Sequence, residues 1–160
     1  MFKSFCVSLI AAITLCGYSY AKEPAQPKLL DQAIMNLPIT LTSGETVTLQ
    51  QFKGKKPLYL KFWASYCQDC LKQMPKLQRI HRKYGDKVQV IAINLGVNDE
   101  FKSVASVQKK FGLKMPVAID TTGKLAKAFN LIATPYHVLL DRDSNIVYAK
   151  YIEPKDLDET

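Results

Sequence analysis

Cys67 and Cys70 stand three residues apart in the run LYLKFWASYCQDCLKQMP, residues 58–75. Two thiols at that spacing can close a small disulfide, exchange it with an outside thiol, or supply half of a metal site. An apolar, β-rich stretch runs straight into them, and a helical pattern follows. That order places Cys67 at a helix N-terminus, where the helix dipole and unpaired N–H groups stabilise a thiolate. Cys70 falls one turn in and is expected to be more buried. Cys67 would then attack or be attacked, and Cys70 would resolve the mixed disulfide. Structural zinc takes four ligands. Beyond the first 21 residues the chain offers only these two cysteines with His81 and His137. A redox pair is therefore preferred, and no metal is expected. The alternative from another class is a copper-binding or metallochaperone module using Cys67, Cys70 and His137.

The elements that must hold this pair can be read from periodicity. Residues 58–63 are apolar on both alternating faces except at Lys61, as in a strand covered by helices on both sides. Residues 68–84 have helical spacing, with Leu71, Met74, Leu77, Gln78 and His81 near one face. Pro75 lacks an N–H and should kink this helix. Residues 39–49 alternate around Ser43, Gly44 and Glu45, a hairpin signal. Strands are expected at 88–95, 116–119, 136–140 and 146–151, and helices at 100–111 and 124–129. The order β-α-β-α-β-α-β-β describes an α/β domain with a mixed sheet. Asp99, Glu100, Asp141 and Asp143 sit at helix starts or turns and need no catalytic role. His137, two residues after Pro135, could approach the thiols, but a satisfied strand histidine is preferred.

The first residues read as a secretory signal. One lysine precedes an apolar core over residues 5–17, too short for a confident membrane span, and Ser19 and Ala21 offer small cleavage-site residues. Residues 1–21 are assigned to the signal, 22–28 to a linker with two prolines, and 29–160 to one domain. Cleavage would remove Cys6 and Cys16. An uncleaved signal acting as a membrane anchor is the other outcome. Either route puts the domain in a periplasmic or otherwise extracytoplasmic, oxidising setting, where one short-loop bridge is a reactive pair rather than a staple. The net charge of +8 is scattered along the chain rather than gathered in one block, so a solvated basic surface is preferred and no nucleic-acid partner is expected.

Residues 62–70, FWASYCQDC, resemble the active-site stretch of thioredoxin-fold proteins. Residues 37–54, 91–94 and the helix and strand near 100–119 are similar to the TlpA/ResA-like branch of exported thiol–disulfide oxidoreductases. Ala133, Thr134 and Pro135, just before a strand, match that fold's cis-proline loop. The resemblance covers about residues 30–152. It implies a thioredoxin-like α/β fold: a central mixed sheet flanked by helices, with an N-terminal β-hairpin and a central helix–strand insertion. It implies a protein disulfide oxidoreductase with catalytic Cys67 and Cys70 as a redox-active disulfide. Trp63 and Tyr66 would frame the thiols, core filling being an equal alternative for Trp63, and Thr134 and Pro135 would hold an extended substrate segment. It implies no cofactor. The partners implied are cysteine-containing protein substrates and a membrane thiol–disulfide electron donor, serving cytochrome c maturation or related assembly. A monomer is expected.

Two departures stand out. Thioredoxins keep a buried acid where this chain has Lys61, and many TlpA/ResA-like proteins have Glu where it has Gln73. Lys61 and Gln73 are therefore the candidates for proton handling. A buried Lys61 would have a lowered pKa and serve as base or counter-ion. The preferred expectation is that its ammonium snorkels to the surface. Asp69, between the cysteines, opposes a thiolate on Cys67 and favours the reducing direction, against Lys72 and the helix dipole.

Overall fold

The computed structural model describes residues 28–155. The signal expected at 1–21, nearly all of the 22–28 linker, and the last five residues fall outside them. Lys28, the last residue of that span, already begins a strand. Strand β1 (Lys28–Leu29) pairs antiparallel with the final strand, Lys28 opposite Ile146.

After helix α1 (Gln32–Met35) come the short strands β2 (Ile39–Thr40) and β3 (Thr46–Val47). They form the expected hairpin, Ile39 opposite Val47. A 3₁₀ turn at Leu49–Phe52 follows. Then come β4 (Leu58–Trp63), α2 (Gln68–Tyr84), β5 (Gln89–Asn94), α3 (Phe101–Phe111), β6 (Val117–Ile119), α4 (Lys124–Ala128), β7 (Tyr136–Leu140) and β8 (Asn145–Lys150). The main sheet runs β1-β8-β7-β4-β5-β6. β4, β5 and β6 are mutually parallel, and β7 and β8 are antiparallel to their neighbours. This is a thioredoxin-like α/β architecture with a central mixed sheet, and α3 with β6 forms the expected inserted helix and strand.

All six residues of β4 are buried, because both faces of this central strand are covered. Strand parity sorts them. Leu58, Leu60 and Phe62 join Met35, Leu49, Leu125 and Phe129 on the face covered by α1, the 3₁₀ turn and α4. Tyr59 and Trp63 join Cys70, Met74, Leu77, Ile80 and Val104 on the face covered by α2 and α3. The buried stripe of α2 is Cys70, Met74, Leu77 and Ile80. It is turned from the expected face, for Leu71, Gln78 and His81 are only half-buried at its edge. Counting Cys70 as an apolar residue restores the i, i+4, i+7 spacing. Pro75 lies on the exposed side of an otherwise continuous helix, where its missing N–H costs one bond to the Leu71 carbonyl. The hairpin is fastened to the edge strand: Leu41 bridges to Ala118, and Thr42 N donates to Val117 O at 2.7 Å.

Candidate active site

The loop between β4 and α2 delivers both cysteines. Cys67 caps α2, and Cys70 lies in its first turn. Their sulfurs are joined in a disulfide, with the Cα atoms 5.2 Å apart. The Cys70 backbone N–H points at Cys67 Sγ, 3.2 Å between N and S. A helix begins with unpaired N–H groups, and here one of them is aimed at the atom that would carry thiolate charge. Cys67 is half-buried and Cys70 fully buried. An outside thiol can thus reach Cys67, while Cys70 can be reached only from Cys67.

The Thr134–Pro135 peptide bond is cis. Pro135 immediately precedes β7, in which Tyr136 pairs with Phe62 and His137 with Lys61. Continuing that register by one residue sets Pro135 beside Trp63, at the end of β4 from which the cysteine loop departs. Thr134 and Pro135 are half-buried, Tyr66 is 55% exposed, and Ile132 is 89% exposed. Of the two roles open to Trp63, the structure gives the core one and not substrate contact: it is fully buried, with its Nε1 lacking a hydrogen-bond partner. It shares its strand face with Tyr59 and packs with Cys70 under α2. Of the two aromatics, only Tyr66 is on the surface beside the disulfide.

Asp99 is a residue that the sequence reading passed over as a helix-start acid. Its Oδ2 accepts from Ser65 N and from Asn94 Nδ2, both at 2.7 Å, and its Oδ1 accepts a short hydrogen bond from Ser65 Oγ. Asn94 in turn accepts from Gly96 N at 2.8 Å. Gly96 has φ of +68°, and a Cβ there would stand 3.0 Å from Asp120 O, so the turn needs glycine. Asp99 therefore ties the loop after β5 to the segment entering Cys67. Asp99→Ala strands Ser65 N–H and Asn94, and a loss of about 1–2 kcal/mol in urea unfolding is expected.

Beneath the disulfide, on the α2-facing side of the sheet, lies a polar seam. Lys61 is wholly buried, so the expected snorkelling does not occur: α2 closes over it. Its Nζ donates a short hydrogen bond to Gln73 Oε1. Burial pushes the Lys61 pKa down to about 8, against an upward pull from the Glu153 carboxylate. Opposite it, His137 is buried, its Nδ1 2.8 Å from the Tyr59 hydroxyl and its Nε2 without a partner. Burial, aided by the charges of Lys61 and Lys76, pushes the His137 pKa down to about 3. His137 is thus the satisfied strand histidine on one ring nitrogen and an orphan on the other. The copper set of Cys67, Cys70 and His137 is not assembled. Among the described residues no three His, Cys, Asp or Glu side chains come together as a metal site. On the surface, Lys72 Nζ pairs with Asp69 Oδ1 at 2.8 Å and holds the Asp69 carboxyl below its usual range. Both are largely exposed, so each mutes the other's effect on Cys67 and the pair adds little stability.

A helix-capping disulfide, a cis-proline loop beside it and a mixed sheet beneath define a thioredoxin-like redox domain. The Redoxin family model matches residues 24–160, and the chain belongs to that family, on its TlpA/ResA-like side. It is 33% identical over 132 residues to the thiol-disulfide oxidoreductase ResA of Bacillus thuringiensis strain Al Hakam, covering 82% of this chain and 73% of that protein. ResA of Bacillus thuringiensis subsp. konkukian is 34% identical over 113 residues, covering 70% of this chain but only 64% of that protein's length. Among solved structures, StoA from Bacillus subtilis superimposes with a TM-score of 0.66 at 26% identity, covering 77% of this chain and 91% of that one.

Proposed function

We propose that the protein exchanges disulfides with cysteine-containing proteins outside the cytoplasm, chiefly as a reductant. The observation that carries this reading is the division of labour in the disulfide. Cys67 is reachable and sits on a helix N-terminus, and Cys70 is buried directly behind it. The relatives named thiol-disulfide oxidoreductase support the same chemistry.

In the reducing direction the Cys67 thiolate attacks a client disulfide. One client sulfur leaves as a thiolate, and a mixed disulfide forms. Cys70 loses its proton and attacks Cys67 Sγ, re-forming the observed bond and releasing the second client thiolate. Two electrons have moved to the client through the two sulfurs, without an organic cofactor; Cys70 has released one proton, and the client thiolates take up protons from solvent. Burial of Cys70 favours its thiol over its thiolate. That favours the disulfide over the thiolate form and places the protein on the reducing side. Thr134 would offer backbone groups to an extended client segment, and exposed Tyr66 would contact its side chains.

Regeneration then needs a donor of electrons, proposed to be a membrane thiol–disulfide relay, and cytochrome c maturation or a related assembly is the process proposed. The apolar run at residues 5–17 supports export or anchoring. The test is Cys70→Ser expressed in the native compartment. Mixed disulfides should accumulate on Cys67, and their partners name the clients. An absence of trapped species, with wild-type protein also failing to reduce insulin, would reject the reading.

A further inference from the structure

Thiol exchange at Cys67 and Cys70 does not by itself call for charged groups in the core, yet the seam under α2 contains them. Lys61 lies between Tyr59 and Trp63 on β4 with no exposed surface. Its ammonium is bonded to Gln73 on α2, one helical turn from Cys70. Residues three apart on a helix have Cβ atoms about 5–6 Å apart. Gln73 thus holds the Lys61 ammonium against the turn of α2 that follows Cys70.

Glu153 closes the seam from the far end of the chain. It follows β8 on a segment that is held in two ways. The Tyr148 hydroxyl donates to Ile152 O at 2.5 Å, and the Tyr151 ring packs edge-on against Tyr136. Glu153 Oε2 lies 3.5 Å from Lys76 Nζ on α2. Glu153 Oε1 is buried and has no hydrogen-bond partner. The carboxylate is close enough to Lys61 to act against the lowering of its pKa. Buried ions gain little stability over apolar residues of the same size, and an unpartnered buried carboxylate oxygen is costly. Packing alone does not account for this arrangement.

We propose that the buried Lys61 ammonium, held by Gln73 one helical turn from Cys70 and opposed by the nearby Glu153 carboxylate, stabilises the Cys70 thiolate when the disulfide opens. The proposal rests on the exchange reading and names positioning residues for it. When an outside thiolate bonds to Cys67 Sγ, the Cys67–Cys70 bond breaks and its electron pair goes to Cys70 Sγ. The new thiolate appears in a fully buried place, where desolvation disfavours it. The Lys61 ammonium offsets that cost, and Glu153 limits the offset. In the reverse step Cys70 must shed its proton before attacking the mixed disulfide, and the same ammonium eases the loss. Gln73 cannot take a proton as a carboxylate could, so the charge nearest Cys70 in the seam is that of Lys61, with Glu153 and its partner Lys76 farther along α2.

The titratable groups in the seam are Tyr59 on the same strand face, His137 opposite Lys61 on β7, Glu153 with its partner Lys76 on α2, and Tyr148 on β8. Burial keeps Tyr59 a neutral phenol and His137 a neutral imidazole near pH 7. Lys61 changes charge near pH 8, and a forming thiolate draws it back to the charged state, so the two titrate as a coupled pair.

The test measures the Cys70 thiol pKa by thiolate absorbance in reduced protein carrying Cys67→Ala, and the midpoint potential against pH with both cysteines present. Lys61→Met should raise the Cys70 pKa by about one unit or more and make the potential more negative. Glu153→Gln should lower the Cys70 pKa, because at no pH does it leave the seam more negative. Opposite signs from substitutions at buried Lys61 and partly buried Glu153 are what a purely structural role would not give. Shifts in the same direction, or none, would overturn the proposal. If Lys61→Met does not fold, Glu153→Gln decides alone: a lowered value supports the proposal, and an unchanged or raised one rejects it. The thiol titration needs no client, so its outcome is separate from any failure of wild-type protein to reduce insulin.

Discussion

Cys67→Ser is expected to reduce disulfide exchange to the uncatalysed rate of the assay thiol, while Cys70→Ser retains one half-reaction per molecule. The asymmetry follows from the geometry. The nucleophile in exchange is a thiolate, and a serine hydroxyl neither ionises near neutral pH nor bonds reversibly to a disulfide sulfur. Cys67 is the sulfur with open access, and the Cys70 N–H aimed at it would have only the smaller hydroxyl to meet. Cys70 has no exposed surface and cannot substitute for it. With Cys67 intact and Cys70 replaced, the first attack proceeds and the mixed disulfide then waits for an outside thiol. Insulin reduction by the two variants, alongside a count of mixed disulfide per protein molecule, separates these cases. Equal residual turnover in both would show that the roles assigned to the two cysteines are wrong.

Much of the frame was legible because local and tertiary signals agree in it. The strand at 58–63 and the helix at 68–84 meet at a cysteine that serves as the N-cap, and both have the stated bounds in the structure. The Thr134–Pro135 loop was legible through its resemblance to a cis-proline loop. What the sequence hid was contact between distant segments. Asp99 reaches Ser65 across a gap no local pattern reports, and Glu153 reaches the seam from beyond the last strand. For Trp63 and Lys61 the sequence left both a buried and a surface role open, and strand parity decides between them. They share a face with Tyr59, so whatever covers one covers the others. A lysine inside an apolar strand is compatible with a snorkelled or a buried ammonium, and only the lid formed by α2 decides between them.

The same seam should make the protein sensitive to acid, through His137. Its pKa falls from an ordinary 6.5 to about 3 in the folded protein, chiefly because the ring is buried and next because Lys61 and Lys76 are positive. Between those two values the unfolded chain binds a proton that the folded one refuses, so stability falls as pH drops from 6.5 toward 3. At pH 5 the loss from this one group is about 2 kcal/mol, and it grows to about 5 kcal/mol once pH reaches the folded value, at roughly 1.4 kcal/mol per unit. Carboxylates also titrate in this range, so the informative quantity is a difference between two proteins. His137→Gln keeps a polar partner within reach of the Tyr59 hydroxyl and removes the titration. Urea unfolding at pH 7 and pH 5 should then show wild type losing about 2 kcal/mol more than the variant on acidification. Equal losses would mean that His137 accepts its proton in the folded state at an ordinary pH. That would require the partnerless Nε2 and the Lys61 ammonium opposite it to tolerate a second buried positive charge.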